Sequence, residues 1–355
     1  MMKRFSLLLL SLLLIALPLG GCGRNKGTDV HVFYYTYSDP YISSVRAALD
    51  SELSGAGLSY QDYDGNGNQT TQTEQIRTAI TKGAKALLVN IVNTGSDDAA
   101  REIADLAKNA GVPLIFFNRE VSDAVVSSYD RCAFVGTRAE EAGILQGEMI
   151  GEYLLANYEK CDLNGDGVIS YILFKGEEGN NEAIFRTKYS VEDANKMLTA
   201  NGKPALRFYD AANPNGYLVD KNGQWSATAA NEYMTTALTA YNAAAGNMIE
   251  LVICNNDGMA EGAISALNAA GYNKGSNSPS IPVFGVDATD AAKTLIKNGQ
   301  MAGTVRQDAA GMAKALLHLA KNATTEGREL MADTNSFTID EAVRKIRIHY
   351  EKYVG

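Results

Sequence analysis

Residues Ile249–Ala270 read IELVICNNDGMAEGAISALNAA, and this stretch decides how the chain folds. Leu251–Cys254 is a short apolar run rich in β-forming residues. It stops at Asn255, Asn256 and Asp257, passes Gly258, and continues as an alanine-rich segment with helical spacing. A strand that ends in polar side chains and turns directly into a helix is the repeating unit of a parallel α/β sheet. In such sheets ligands bind where the strands stop. Glu250, at the head of the same run, occupies a place where a buried strand ordinarily carries an apolar residue.

The same unit recurs on both sides. Upstream, strands are expected at Val30–Tyr37, Leu58–Tyr63, Ala86–Val92 and Val112–Phe117, alternating with helices at Ile42–Leu53, Gln69–Thr81 and Asp97–Asn109. A turn-rich DGNGN at Asp64–Asn68 closes the second strand. The rhythm then repeats with strands at Val168–Phe174, Leu206–Tyr209, Glu250–Cys254 and Ile281–Gly285. The accompanying helices are Glu140–Asn157, Glu182–Ala200, Ala227–Ala244, Gly258–Ala270, Ala288–Lys297 and Ala309–Asn322, and a tail with β character follows at Ala342–Tyr350. The fold class is therefore α/β, with two doubly wound parallel-sheet units of similar size in series. A length of 355 residues accommodates two such units, and a cleft between them is a natural small-molecule site.

A net charge of −9 argues against a nucleic-acid partner, because phosphate backbones attract basic surfaces. Lys3 and Arg4 precede an apolar run, Leu7–Leu17, that is shorter than the roughly 20 residues a membrane-spanning helix needs. The run ends in Leu19-Gly20-Gly21-Cys22, which resembles the bacterial lipobox. Residues 1–21 then form a lipoprotein signal peptide, and 22–28 a lipidated Cys22 with a short tether, held in the membrane by two or more acyl chains. Cys132, Cys161 and Cys254 are scattered singly, with no metal or disulfide spacing, and are expected to be core residues.

Polar groups gather at the expected strand ends: Asp39 and Tyr41 after the first strand, Asn118 and Arg119 after Val112–Phe117, Asn256, and Asp287. A single Asn or Asp in such a place is commonly a helix cap. Four sites together suggest a ligand with many hydroxyls, since carboxylates and amides bond neighbouring hydroxyl pairs. A sugar also presents C–H faces that suit aromatic rings. Tyr41 and the only tryptophan, Trp225, in the polar loop KNGQWSAT, are candidate rings. Separately, DLNGDGVIS at Asp162–Ser170 has oxygen donors at Asp162, Asn164 and Asp166, a glycine at Gly167 and a backbone carbonyl at Val168, as in a calcium-binding EF-hand loop. Position 12 is Leu173 rather than the usual Glu, so a carboxylate must come from elsewhere, and Glu250 is the best candidate.

These residues carry a family resemblance from about Val30 to Tyr350. KGAKALLVN at Lys82, VPLIFFNRE at Val112, SYDRCAFVGT at Ser128, DLNGDG at Asp162, KGEEG at Lys175, ICNNDGMAEGA at Ile253, IPVFGVDA at Ile281 and MAGTV at Met301 resemble the galactose/glucose-binding proteins of bacterial ABC importers. The resemblance implies the type I periplasmic binding protein fold, two lobes joined by a three-strand hinge. One lobe would comprise 29–136 plus 309–349, the other 137–308 plus 350–355. A hexose would lie in the cleft between rings at Tyr41 (commonly Phe in the family) and Trp225, with polar contacts at Asp39, Asn118, Arg186, Asn256 and Asp287. Asn180, Glu182 and Gln307 match further binding positions but replace the family's His, Asp and Asn, which leaves the choice of sugar open. The family's calcium ligands match at Asp162, Asn164, Asp166, the Val168 carbonyl and Glu250, with Ser170 in place of a longer Gln.

The implied function is a monomeric, non-enzymatic receptor on the outer side of the cell membrane. It would close on a glucose- or galactose-type hexose, deliver it to an ABC permease, and carry a structural calcium ion. A sensing subunit presenting sugar to a chemoreceptor or histidine kinase would use the same cleft. A sugar-responsive repressor is disfavoured by the export signal, the acidic charge and the lack of an N-terminal helix-turn-helix. A glycosidase using Asp39 and Asp287 as acid and base is disfavoured because the polar groups look arranged for binding.

Overall fold

A computed structural model describes residues 28–275 and 278–355. The signal peptide, Cys22 and most of the tether lie outside the described residues. In chain order the elements are β1 (Val30–Tyr34), α1 (Pro40–Gly55), β2 (Tyr60–Asp64), α2 (Gln69–Thr81), β3 (Ala86–Val89), α3 (Asp98–Ala110), β4 (Leu114–Phe117), α4 (Asp123–Ser127) and β5 (Cys132–Gly136). There follow α5 (Ala139–Cys161), β6 (Ser170–Lys175), α6 (Asn181–Ala200), β7 (Arg207–Phe208), β8 (Leu218–Val219), α7 (Ala227–Ala240), β9 (Leu251–Cys254) and α8 (Asp257–Ala269). The chain ends with β10 (Val283–Asp287), α9 (Asp290–Lys297), β11 (Gly303–Gln307), α10 (Ala309–Thr324), β12 (Thr338–Asp340), β13 (Lys345–Arg347) and β14 (Tyr350–Tyr353).

The strands form two sheets, ordered β12-β13-β5-β4-β3-β1-β2 and β14-β11-β10-β9-β6-β7, with β8 also paired to β6. Their interiors are parallel, and most strands there are predominantly apolar and buried because helices cover both faces. Each sheet also has one antiparallel pair that the expectation of purely parallel sheets missed, β12 on β13 and β14 on β11. β5 and β11 were not expected as separate strands, yet both are interior to their sheets, β11 pairing with β10. The chain passes from the first sheet to the second after β5, returns between β11 and α10, and crosses again between β13 and β14.

The stretch Ile249–Ala270 lies at the centre of the second sheet. β9 is flanked by β6 and β10, and all four of its residues are buried. One further sequence feature sets the position of the site. Gly143, Gly147 and Gly151 line one face of α5 against α6: a Cβ at Gly143 would fall 2.5 Å from the Phe185 carbonyl oxygen, and one at Gly147 2.7 Å from that of Tyr189. The missing side chains let the two helices approach with backbone nearly in contact, which fixes where α6 presents its first two turns.

Candidate functional site

α6 begins the site. Asn180 is its N-cap, accepting from the Ala183 N–H at 3.1 Å, so Glu182 and Arg186 project from the first turns. Asp39 and Asn256 cap α1 and α8 in the same way, accepting from Ile42 N–H and Met259 N–H, both at 2.9 Å. Capping and lining the cavity thus coincide in the same side chains. Twelve residues surround one cavity between the lobes: Tyr35, Asp39, Tyr41, Asn118 and Arg119 from the first, and Asn180, Glu182, Arg186, Trp225, Asn256, Asp287 and Gln307 from the second.

All ten side chains picked out as sugar contacts are brought together here. Two were not picked out as contacts, Tyr35 and Arg119. Arg119 is among the polar groups expected at the strand ends, though not as a sugar contact, and reading one residue beyond β1 would have found Tyr35.

Arg186 is the hub. Its guanidinium donates to the Asn255 carbonyl at 2.8 Å, the Tyr350 hydroxyl at 2.9 Å and Gln307 Oε1 at 3.3 Å, and lies 4.0 Å from Asp287. Tyr350 in turn meets the Thr137 hydroxyl at 2.9 Å. Thr137, Gln307 and Tyr350 lie on the three crossings, so one buried network ties the site to all of them. Burial opposes the charge on Arg186, but Tyr350, Asp287 and Glu182 hold its pKa above the ordinary value. Burial raises Glu182 and Asp287, with Arg186 opposing the rise in each case.

Among the described residues, four buried polar atoms on side chains that line the cavity have no protein partner: Arg119 Nε, Glu182 Oε1, Arg186 Nε and Gln307 Nε2. Left unmet they are costly, about 1–3 kcal/mol each. Three donors and one acceptor on side chains that line one space are what a polyhydroxyl molecule would satisfy. Trp225 supplies an apolar wall. Its ring packs over Gly176, where a Cβ would come within 2.1 Å of the indole. Its backbone has φ of +55°, and Asn118 and Asp287 have φ of +62° and +127°. Three side chains held in rarely populated backbone conformations around one cavity fit strain retained at a functional site.

Beneath the cavity, Asp257 accepts from Thr304 Oγ1 at 2.6 Å and from Thr289 N–H at 2.8 Å. Burial lifts its pKa to about 7, against about 4 in an unfolded chain. The folded form therefore binds its proton more tightly, and stability falls as pH rises from about 4 to about 7. Asp257→Asn keeps an acceptor for Thr289 and removes the buried charge. Its melting temperature should exceed that of the parent at pH 8 and change less between pH 5 and 8. Parallel melting-temperature profiles for the two proteins would contradict this.

The Asp162 loop lies at the other end of β9. Asp162 accepts from the N–H groups of Gly165 and Gly167, Asn164 from Asp166, and Asp166 from Val168. Glu250 does reach the loop, because its N–H bonds the Ser170 carbonyl in register with β6. Its carboxylate accepts from Leu163, Asn164 and Ser170 N–H groups at 2.7–3.1 Å. The donor types suit a hard cation, with two differences from the expected ligand set. The Ser170 hydroxyl turns away to donate to the Met248 carbonyl, being too short to reach back. Arg207 occupies Asp166 at 2.5 Å. Among the described residues no three His, Cys, Asp or Glu side chains converge as a metal requires.

Comparison with known proteins agrees with this architecture. A family model described as a periplasmic binding protein domain matches residues 30–329. The D-galactose/methyl-galactoside binding periplasmic protein MglB of Haemophilus influenzae is 33% identical over 338 residues, covering 94% of this chain and 93% of that protein. An ABC transporter solute-binding protein from Clostridium phytofermentans, solved with β-D-glucose, shares the fold with a TM-score of 0.70 at 20% identity, covering 92% and 93% of the two chains. One from Bacillus halodurans, solved with myo-inositol, gives 0.69 at 24%, covering 93% and 96%. With two α/β lobes, a cleft at their strand ends and these matches along its length, the chain belongs to the periplasmic binding protein family, whose members bind substrates rather than transform them.

Proposed function

We propose that the protein is a lipid-anchored extracytoplasmic receptor that closes on a glucose- or galactose-type hexose and passes it to an ABC permease. The observation that carries this reading is the set of four unpartnered polar atoms on side chains that line the cavity with Trp225. The MglB relative, at 33% identity, supports a galactose-type ligand. The ligands named for the two solved structures set the range to be tested, a glucose and an inositol. Binding favours the closed form because the sugar contacts both lobes. Calorimetric titration with hexoses, pentoses and cyclitols tests it. Micromolar or tighter binding of glucose or galactose is expected, and heat from none of the panel would defeat it.

The anchor rests on Cys22 and the residues before it. Cys22→Ala should move the protein from the membrane fraction to the soluble one, and unchanged membrane retention would count against lipidation.

A calcium ion is proposed at the Asp162 loop, held by Asp162, Asn164, Asp166, the Val168 carbonyl and Glu250. It would displace Arg207 from Asp166 and offset the crowding of carboxylates. At a hundredfold excess over its dissociation constant it would add about 2.7 kcal/mol. That corresponds to roughly 5–10 °C of melting temperature, with tighter binding in Arg207→Ala. Melts that ignore both calcium and chelator in both proteins would exclude the site.

A further inference from the structure

Glu177 lies just outside the cavity, at the seam between the lobes. One of its oxygens, Oε2, accepts from Arg119 Nη2 across the seam at 2.6 Å and from the Trp225 indole N–H of its own lobe at 3.4 Å. The Arg119 and Glu177 side chains are only 6% and 20% exposed, so the pair is far less screened than a surface ion pair. The Arg119 cation also stacks on Tyr35, 4.3 Å from the ring centre. A second contact crosses the seam beside it, Asn180 Nδ2 to Thr94 Oγ1 at 3.2 Å. There the backbones nearly touch, since a Cβ on Gly179 would lie 3.2 Å from the Gly95 Cα.

The two edges of the Arg119 guanidinium do different things. Nη2 donates to Glu177 and, within its own lobe, to the Val92 carbonyl at 3.0 Å, while Nε is buried and unpartnered on a side chain that lines the cavity. A ligand acceptor at Nε and the Glu177 carboxylate are therefore held by one rigid, planar group. Glu177 is already attached to Trp225, the ring that would cover the ligand. We infer that Glu177 is a positioning residue, a latch that couples the placement of Trp225 and the engagement of Arg119 to closure of the lobes, and so governs how fast a bound ligand leaves. It does not touch the ligand. The inference rests on the proposed sugar-binding cleft.

Because Trp225 is the only tryptophan, its fluorescence reports the site directly. Stopped-flow release of the tightest-binding sugar of the panel should be about tenfold faster from Glu177→Gln than from the parent. The association rate should stay within about threefold, and the ranking of sugars should be unchanged. Glu178→Gln is the control, removing a neighbouring carboxylate that pairs with Lys175 within its own lobe at 2.5 Å, and it should release sugar at the parental rate. Release from Glu177→Gln within twofold of the parent overturns the latch, as does an equal acceleration in Glu178→Gln. A changed sugar ranking would overturn it too, making Glu177 a ligand contact. A parent protein that binds no sugar defeats the reading of the cleft instead, so the two failures are distinct.

Discussion

Replacing Arg186 by alanine is expected to weaken sugar binding by roughly 30-fold to several thousand-fold. Truncating one partner of a buried, hydrogen-bonded charge network costs about 2–5 kcal/mol, and each 1.4 kcal/mol is a factor of ten. Here the loss has three parts. The unpartnered donor at Nε, on a side chain lining the cavity, disappears. Asp287, 4.0 Å away, loses the one cation that opposes the effect of its burial, so it is driven further toward its neutral form. Gln307 and Tyr350 lose the donor that ties two of the lobe crossings to α6. Arg186→Lys keeps a charge but not the fork that reaches Asn255, Gln307 and Tyr350 together, and should fall between the two. Calorimetry measures the affinity, and a melt of the ligand-free protein separates binding from stability. A folded Arg186→Ala protein within threefold of the parental affinity would remove Arg186 from the binding role.

A large effect on folding is expected at Gly147. In Gly147→Val even the first side-chain atom would lie 2.7 Å from the Tyr189 carbonyl oxygen and 2.9 Å from the Asp193 Cβ. The nearest of these is backbone of α6 and cannot rotate away, so α5 and α6 must separate. Overpacking of this kind typically costs about 1–3 kcal/mol, or roughly 2–12 °C of melting temperature for lobes of this size. Sugar affinity should fall with it, because α6 carries Asn180, Glu182 and Arg186 into the cavity. Ala156→Val, on an exposed position of the same helix, introduces the same β-branched side chain without the collision, at a propensity cost of well under about 1 kcal/mol that replacing a glycine does not incur. Equal melting shifts for the two variants would show that helix propensity and not interhelical approach is at issue.

Both predictions concern α6 and the strand beside it, and they separate what is local from what is not. Alternation of apolar runs with helical spacing reflects whether each segment can bury one face, so the order of most strands and helices was legible in the chain. β5 and β11 were not, although both are interior to their sheets. Each is five residues long, and β11 carries Thr304, Arg306 and Gln307 among its residues, which blurs an apolar run. Asp39, Asn118, Asn256 and Asp287 could be chosen from the sequence because each follows a strand. That reasoning stops at one lobe. Which strand ends face one another depends on three chain crossings, and no residue spacing records them.

The stretch Ile249–Ala270 shows the division most plainly. Its sequence alone determined a buried strand with polar groups at its end, a helix after it, and an out-of-place acid before it. At about 3.3 Å per residue, Glu250 and Asn256 are roughly 20 Å apart, so the two ends of one strand serve different sites. Pairing of β9 with β6 then decided that Glu250 meets the Asp162 loop, since its partner in register is Ser170. The same tertiary contacts decided that Ser170 bonds Met248, that Arg207 sits on Asp166, and that Arg119 reaches Glu177 across the seam. A side chain's chemical type is written in the chain, but its partner is set by whichever backbone or charge the packed lobes bring within 3 Å, and that distance exists only after folding.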